Sequence, residues 1–180
     1  MRGISTVTGK DIIINYILEH VKKADAILDV GFGSGIYGKL LNEKGYHNID
    51  GIDIYGGELE GTGLDSIYRT IFIEDIQTFK FNHYNLIIMG DILEHLPLQN
   101  AKFILKKLSL KCDHLMVSVP YQFSQNGTLS NPYEKHEQPE ITREYMTLHY
   151  PYLTLLFESE MEDVEGLIGV YIHSNNKVNE

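Results

Sequence analysis

Ala26-Ile27-Leu28-Asp29-Val30-Gly31-Phe32-Gly33-Ser34-Gly35 is the stretch on which the reading of this chain turns. Its apolar half is short and bounded, as in a buried strand of a parallel sheet. The glycines that follow permit positive φ and let a ligand come close to the backbone. Ile36, Leu40 and Leu41 then recur at helical spacing. The unit therefore reads as strand, glycine turn and helix, which suits a nucleotide-like ligand.

Outward from that unit, apolar strands keep alternating with helical patterns, the mark of a parallel sheet covered on both faces. A helix is expected over 11–21, with Ile12, Ile13, Tyr16, Ile17 and Val21 on its apolar face and Thr8 or Gly9 at its start. After the strand at 26–30, the helix at 36–44 ends at Gly45, where a left-handed cap is expected. Further strands fall at 48–52, 68–73 and 84–89. A helix at 98–109 leads to a fifth strand at 114–119, whose end Pro120 sets. A short helix at 141–150 precedes strands at 152–158 and 166–173, which lack a crossover and so pair antiparallel. The predicted fold is α/β, a doubly wound, mostly parallel seven-stranded sheet with helices on both faces. It is a three-layer α/β/α arrangement with an antiparallel strand near one edge. The whole chain, 1–180, reads as a single domain. Residues 120–140, rich in Gln, Asn, Ser, Gly and Pro with Tyr121, Phe123 and Tyr133 interleaved, read as a substrate loop. These aromatics either wall a pocket or pin the loop to the sheet.

A net charge of −10 on 180 residues, with Lys and Arg dispersed, opposes bulk nucleic-acid binding and favours a small molecule or glycan. The densest basic group, Lys102, Lys106, Lys107 and Lys111, reads as a solvated helix face. The single cysteine, Cys112, excludes an internal disulfide, and its apolar neighbours suggest a buried thiol in a reducing cytoplasm. No run reaches the ~18 apolar residues of a membrane span, and no leader-like segment opens the chain. An oligomer is compatible with these features.

The glycine turn has relatives from which it must be told apart. A phosphate-binding loop needs a hydroxyl after Gly-Lys, and Gly38-Lys39-Leu40 lacks it. The dinucleotide fingerprint needs a third glycine where Ile36 stands. With glycines at 31, 33 and 35, Asp29 to Gly35 resembles the first motif of class I S-adenosylmethionine-dependent methyltransferases. Tyr84-Asn85-Leu86-Ile87-Ile88-Met89-Gly90-Asp91-Ile92-Leu93-Glu94-His95-Leu96 resembles that family's fourth motif, including its Leu-Glu-His-Leu ending.

The resemblance implies S-adenosylmethionine as cofactor, with S-adenosylhomocysteine as product. It implies cofactor contacts from Asp29, Gly31, Phe32, Gly33 and Gly35, from Asp53 and Ile54, from Asp75 and Ile76, and from Gly90 and Asp91. Each has a plain alternative. Asp29 can tie loop amides or cap the helix, Asp53 and Asp75 can be turn residues, and Asp91 can accept amides in its own loop. Asp53 at a strand end can accept both ribose hydroxyls, a device that nicotinamide enzymes share.

Two residues are candidates for catalysis. His136, in the polar loop Asn131-Pro132-Tyr133-Glu134-Lys135-His136-Glu137, can take a proton near neutral pH or simply be solvated, and Asp91 can face the transferred methyl. Glu94 and His95 rank second, because in this motif they orient the loop. Glu134, His136 and Glu137 with His95 match no zinc spacing, so no metal is predicted. The expected activity is methyl transfer to a small polar acceptor, a sugar or glycan intermediate or another metabolite. Two alternatives stand beside it: an NAD-dependent oxidoreductase and a non-catalytic S-adenosylmethionine-binding module.

Overall fold

The structure, a computed structural model, describes residues 6–57, 59, 61–127 and 131–175. Residues 128–130 of the expected substrate loop lie outside the described residues. In chain order the regular elements are α1 (Lys10–His20), β1 (Ile27–Val30), α2 (Ile36–Glu43), β2 (Ile49–Asp53) and β3 (Thr70–Ile73). There follow β4 (Tyr84–Gly90), α3 (Leu98–Ser109), β5 (Cys112–Tyr121), α4 (Arg143–His149), β6 (Thr154–Glu160) and β7 (Leu167–Ser174).

The strands form one seven-stranded sheet in the order β3-β2-β1-β4-β5-β7-β6. Pairing is parallel from β3 to β5, whereas β7 runs antiparallel to both β5 and β6. The expected antiparallel strand near one edge is therefore β7. Because successive side chains of a strand point to opposite faces, the sheet divides its apolar residues between two cores. Leu28, Val30, Ile87 and Met89 meet Ala101, Ile104, Leu105 and Leu108 of α3 on one face. Ile27, Leu86 and Ile88 meet Ile13 and Ile17 of α1 and Leu41 of α2 on the other. Three layers, α/β/α, result.

Gly45, at φ 84, supplies the left-handed residue expected just after α2. Several boundaries differ from the sequence pattern by one or two residues, and two of these differences have a physical reason in the structure. Pro120 does not stop β5, which continues to Tyr121 beside β7, with Pro120 opposite Ile168. Alternate residues of a strand send their backbone groups to one side. Ser118 C=O accepts from Asp91 N–H, so the Pro120 nitrogen faces the side where β4 has already ended and no ladder bond is lost. Tyr68 lies outside β3, because its ring turns inward under the glycine turn. Past β5, Gln122 N–H donates to Ile141 C=O at 2.8 Å and closes the neck of the loop that spans them.

Candidate functional site

β1, β2 and β4 end level, with Val30 opposite both Ile52 and Met89. Beyond their carboxyl ends opens a cleft of about 620 Å³. Open α/β sheets take ligands at this position, and small-molecule sites occupy roughly 300–1,000 Å³.

The glycine turn forms one wall. Gly31, Gly33 and Gly35 take φ values of 67, 49 and 77, in the left-handed region that a side chain disfavours. A Cβ on Gly31 would also strike the Ile92 side chain. Asp53, at the end of β2, clamps this turn: its Oδ2 accepts from Gly33 N–H at 2.9 Å and its Oδ1 from Tyr55 N–H at 2.8 Å. Each oxygen keeps a second lone pair for a ligand.

Asp29 lies beneath the turn, only 1% exposed, and accepts a 2.6 Å hydrogen bond from the Tyr68 hydroxyl. Burial pushes its pKa up to about 6, against the lowering effect of the Tyr68 bond and of Lys10. A Cβ on Gly38 would lie 2.5 Å from the Tyr68 ring, so glycine there admits the tyrosine.

Opposite the turn, Gly90 and Asp91 close β4. Asp91 sits at φ 54 and accepts from Ser118 Oγ at 2.9 Å. Lys10, 4% exposed, reaches the same wall from α1 and stands 4.5 Å from the Tyr37 ring centroid. Burial lowers its pKa, while the charges of Asp91, Asp29 and Asp163 favour its protonated form. Ile54 and Ile76 give the cleft apolar sides, and Asp75 on the rim accepts from Gln77 N–H at 2.8 Å.

The far end is built from two segments that meet. Glu94 and His95 lie on a short 3₁₀ turn after β4 (Leu93–His95), and His136 lies in the long loop after β5. The Glu94 carbonyl accepts from Glu137 N–H at 2.8 Å and Gln138 N–H at 3.1 Å. The buried Gln138 amide donates to Leu93 C=O at 2.9 Å and Leu96 C=O at 2.8 Å, and accepts from Tyr145 and Tyr150 hydroxyls. Glu94 is 1% exposed, and its Oε2 has no hydrogen-bond partner among the described residues. Burial holds its carboxyl well above the usual range, and the Asp91 charge adds to this.

His95 Nδ1 lies 3.1 Å from Lys135 C=O, and His136 Nδ1 lies 2.7 Å from Phe123 C=O. A carbonyl only accepts, so each Nδ1 carries hydrogen and each Nε2 keeps its lone pair. Burial pulls both imidazoles below their ordinary pKa. They are neutral bases at neutral pH.

Of the residues that the sequence marks as cofactor contacts, Gly31, Phe32, Gly33, Asp53 and Ile54 line the cleft, as do Asp75, Ile76, Gly90 and Asp91. Asp29 and Gly35 do not: one is buried below the turn, and the other starts α2. His136 lines the cleft and is 7% exposed, which removes the reading of it as a solvated loop residue. Phe123 and Tyr133 also line it, whereas Tyr121 is pinned in the core by its bond to the Tyr171 hydroxyl. Cys112 is buried, and burial raises its thiol to about 12.

Lys10, Tyr68 and Gln138 escape sequence reasoning. Each acts across a long stretch of chain, and a charge on an apolar helix face was the one local signal, at Lys10. Glu94 and His95 were visible in the motif, but their meeting with His136 was not.

No known family profile matches the chain. Among curated proteins, the ubiquinone biosynthesis O-methyltransferase of Bordetella avium (strain 197N) is 28% identical over 82 residues, 42% of this chain and 34% of the relative. The chain thus aligns with about a third of that protein's length. A solved S-adenosylmethionine-dependent methyltransferase from Clostridium acetobutylicum ATCC 824 superposes with a TM-score of 0.68 at 15% identity, covering 94% of this chain and 91% of the other. A magnesium protoporphyrin IX methyltransferase from Synechocystis PCC 6803, with S-adenosylmethionine bound, gives 0.60 at 16% identity, covering 91% and 77%. At such identities the likeness concerns architecture: this chain shares the fold of these two methyltransferases.

Proposed function

We propose that this chain is an S-adenosylmethionine-dependent methyltransferase acting on a small polar acceptor, a sugar or glycan intermediate or another polar metabolite. The observation that carries the reading is one cleft with two unlike ends: a glycine turn clamped by Asp53, and a polar wall of Glu94, His95 and His136. The bound S-adenosylmethionine in the Synechocystis structure and the methyltransferase function named for the Bordetella protein support it.

The residues present fit the cofactor. Asp53 has lone pairs to spare for ribose hydroxyls, Ile54 and Ile76 on the cleft wall suit adenine, and Asp75 on its rim is the candidate acceptor for the adenine amino group. The backbone of Gly31, Gly33 and Gly90 leaves room for the methionine end, with Lys10 as the cation for its carboxylate. Asp29 supports the turn through Tyr68 rather than from the cleft wall. When bound, this cofactor supplies a methyl group already made electrophilic by its sulfonium.

The chain's own task is then to align the acceptor and exclude water. A nitrogen or carboxylate acceptor needs no base, whereas an aliphatic hydroxyl does, and His136 and Asp91, both lining the cleft, are the candidates to receive its proton. The buried Cys112 thiol suits a reducing cytoplasm.

S-adenosylhomocysteine at a hundredfold excess over its dissociation constant should raise the melting temperature by about 5–10 °C, and NAD should not. Stabilisation by NAD alone would instead support the oxidoreductase. Labelled methyl transfer from S-adenosylmethionine to metabolite, glycan or protein fractions identifies the acceptor. Binding with no transfer to any fraction would leave a binding module.

A further inference from the structure

We infer that Glu94, His95 and His136 form a binding site for one divalent cation of borderline softness, such as zinc, cobalt or manganese, at the acceptor end of the cleft. One ligand atom from each residue lies within 4.8 Å of the others, and the Glu94 carboxylate comes within 3.9 Å of His95 Nε2. Tetrahedral ligands at metal–ligand distances of ~2.1 Å stand ~3.4 Å apart. The cluster therefore has to close by up to ~1.4 Å, within the reach of small side-chain rotations.

Two observations independent of the clustering point to a cation. First, the Glu94 carboxylate is buried, with Oε1 facing His95 Nε2 and Oε2 without a hydrogen-bond partner among the described residues. A buried polar atom left so is costly and is ordinarily satisfied by a ligand, ion or water. Second, the carbonyls of Lys135 and Phe123 hold both imidazoles by Nδ1, from outside the cluster. That is how metal-ligating histidines are oriented, because the anchored Nδ1–H leaves the Nε2 lone pair to the metal. The His95 and His136 rings lie 4.7 Å apart and nearly perpendicular, edge to face. Two imidazoles and one carboxylate suit zinc, cobalt or manganese better than calcium or magnesium, which prefer all-oxygen shells.

Three protein ligands leave positions open towards the cleft. This part rests on the methyl-transfer reading: the open positions take a hydroxyl oxygen of the acceptor. The coordinated O–H releases its proton to solvent water, and the oxygen forms a bond to the methyl carbon. The carbon–sulfur bond breaks with its electron pair returning to sulfur, which discharges the sulfonium. His136 is then a ligand and not a base, since one lone pair cannot serve both.

The test uses the full chain, dialysed against chelator and titrated with Co²⁺ and Zn²⁺. Melting temperature and the Co²⁺ visible spectrum are read, with S-adenosylhomocysteine titrated in parallel. Wild type should bind one Co²⁺ per chain and melt about 5–10 °C higher at saturation. Glu94→Gln keeps the shape without the charge, and His136→Asn keeps a donor for Phe123 C=O without the second nitrogen. Both should fold, bind Co²⁺ at least ~10-fold more weakly and keep the S-adenosylhomocysteine shift. A wild type that ignores both metals, or variants that bind Co²⁺ as well as wild type does, would overturn the site. Metal binding in this pattern without any S-adenosylhomocysteine shift would instead remove the methyl-transfer reading and leave the cation site standing.

Discussion

In Asp29, burial and ionisation pull against each other. Its carboxyl is 1% exposed, and burial lifts its pKa from 3.8 to about 6. A folded-state pKa above the unfolded value means that the folded chain binds the proton more tightly. The stabilisation is complete below about pH 3.8 and is lost as pH rises through about 6. Ionised Asp29 at pH 7 then costs on the order of 3 kcal/mol. Asp29→Asn still accepts from Tyr68 and carries no charge. Its stability advantage over wild type, from urea melts at a series of pH values, should widen between pH 4 and 7 by up to ~3 kcal/mol. A difference that stays constant across that range would show that the charge is not the cause. The sequence marks Asp29 as a special position but leaves its partner open. Tyr68, 39 residues away, carries no local sign of its role, because the apolar periodicity around it reads as strand.

At the scale of elements, Gln138 ties the loop after β5 to the turn after β4. All four hydrogen-bonding positions of its amide are engaged, with the two carbonyls of residues 93 and 96 and the two hydroxyls of residues 145 and 150. Gln138→Ala orphans these groups and should lower stability by about 2–4 kcal/mol, or roughly 5–15 °C in melting temperature. Gln138→Glu keeps the size and both acceptors but loses the two N–H donors. It should fall nearly as far, and a mild effect would locate the contribution in packing instead.

Most elements were legible because their signals are local. α3 appears where the periodicity of Ala101, Ile104, Leu105 and Leu108 places it, and β4 is a bounded apolar run. The end of β5 was not legible, since a proline stops a strand only where a neighbour needs its N–H. At Pro120 that neighbour had already ended.

At the scale of the molecule, the seven-stranded sheet and its antiparallel β7 follow from the alternation of strands and helices along the chain. The cleft does not, because it gathers side chains from the start of α1 to the turn after β6. The centre of the sheet should be its most protected part. Amides of β1 and the middle of β4, paired on both sides and buried, should exchange hydrogen only on global unfolding. S-adenosylhomocysteine should slow exchange at residues 31–34 and 54–55, and leave the N-terminal half of β6, on the sheet's edge and away from the strand ends that bear the cleft, unchanged. Uniform slowing throughout would point to a global rather than a local effect of the ligand.

The hydrogen bond from Gln122 to Ile141 has a consequence for how such a protein diversifies. It makes the segment between them a cassette with a sealed neck, plugged into the rest of the chain through Gln138. Chemistry carried inside the cassette can be exchanged as a unit, while the glycine turn and the strand ends beneath it stay as they are. Selection, or a designer, can then rewrite what the protein acts upon without renegotiating the sheet that supports it.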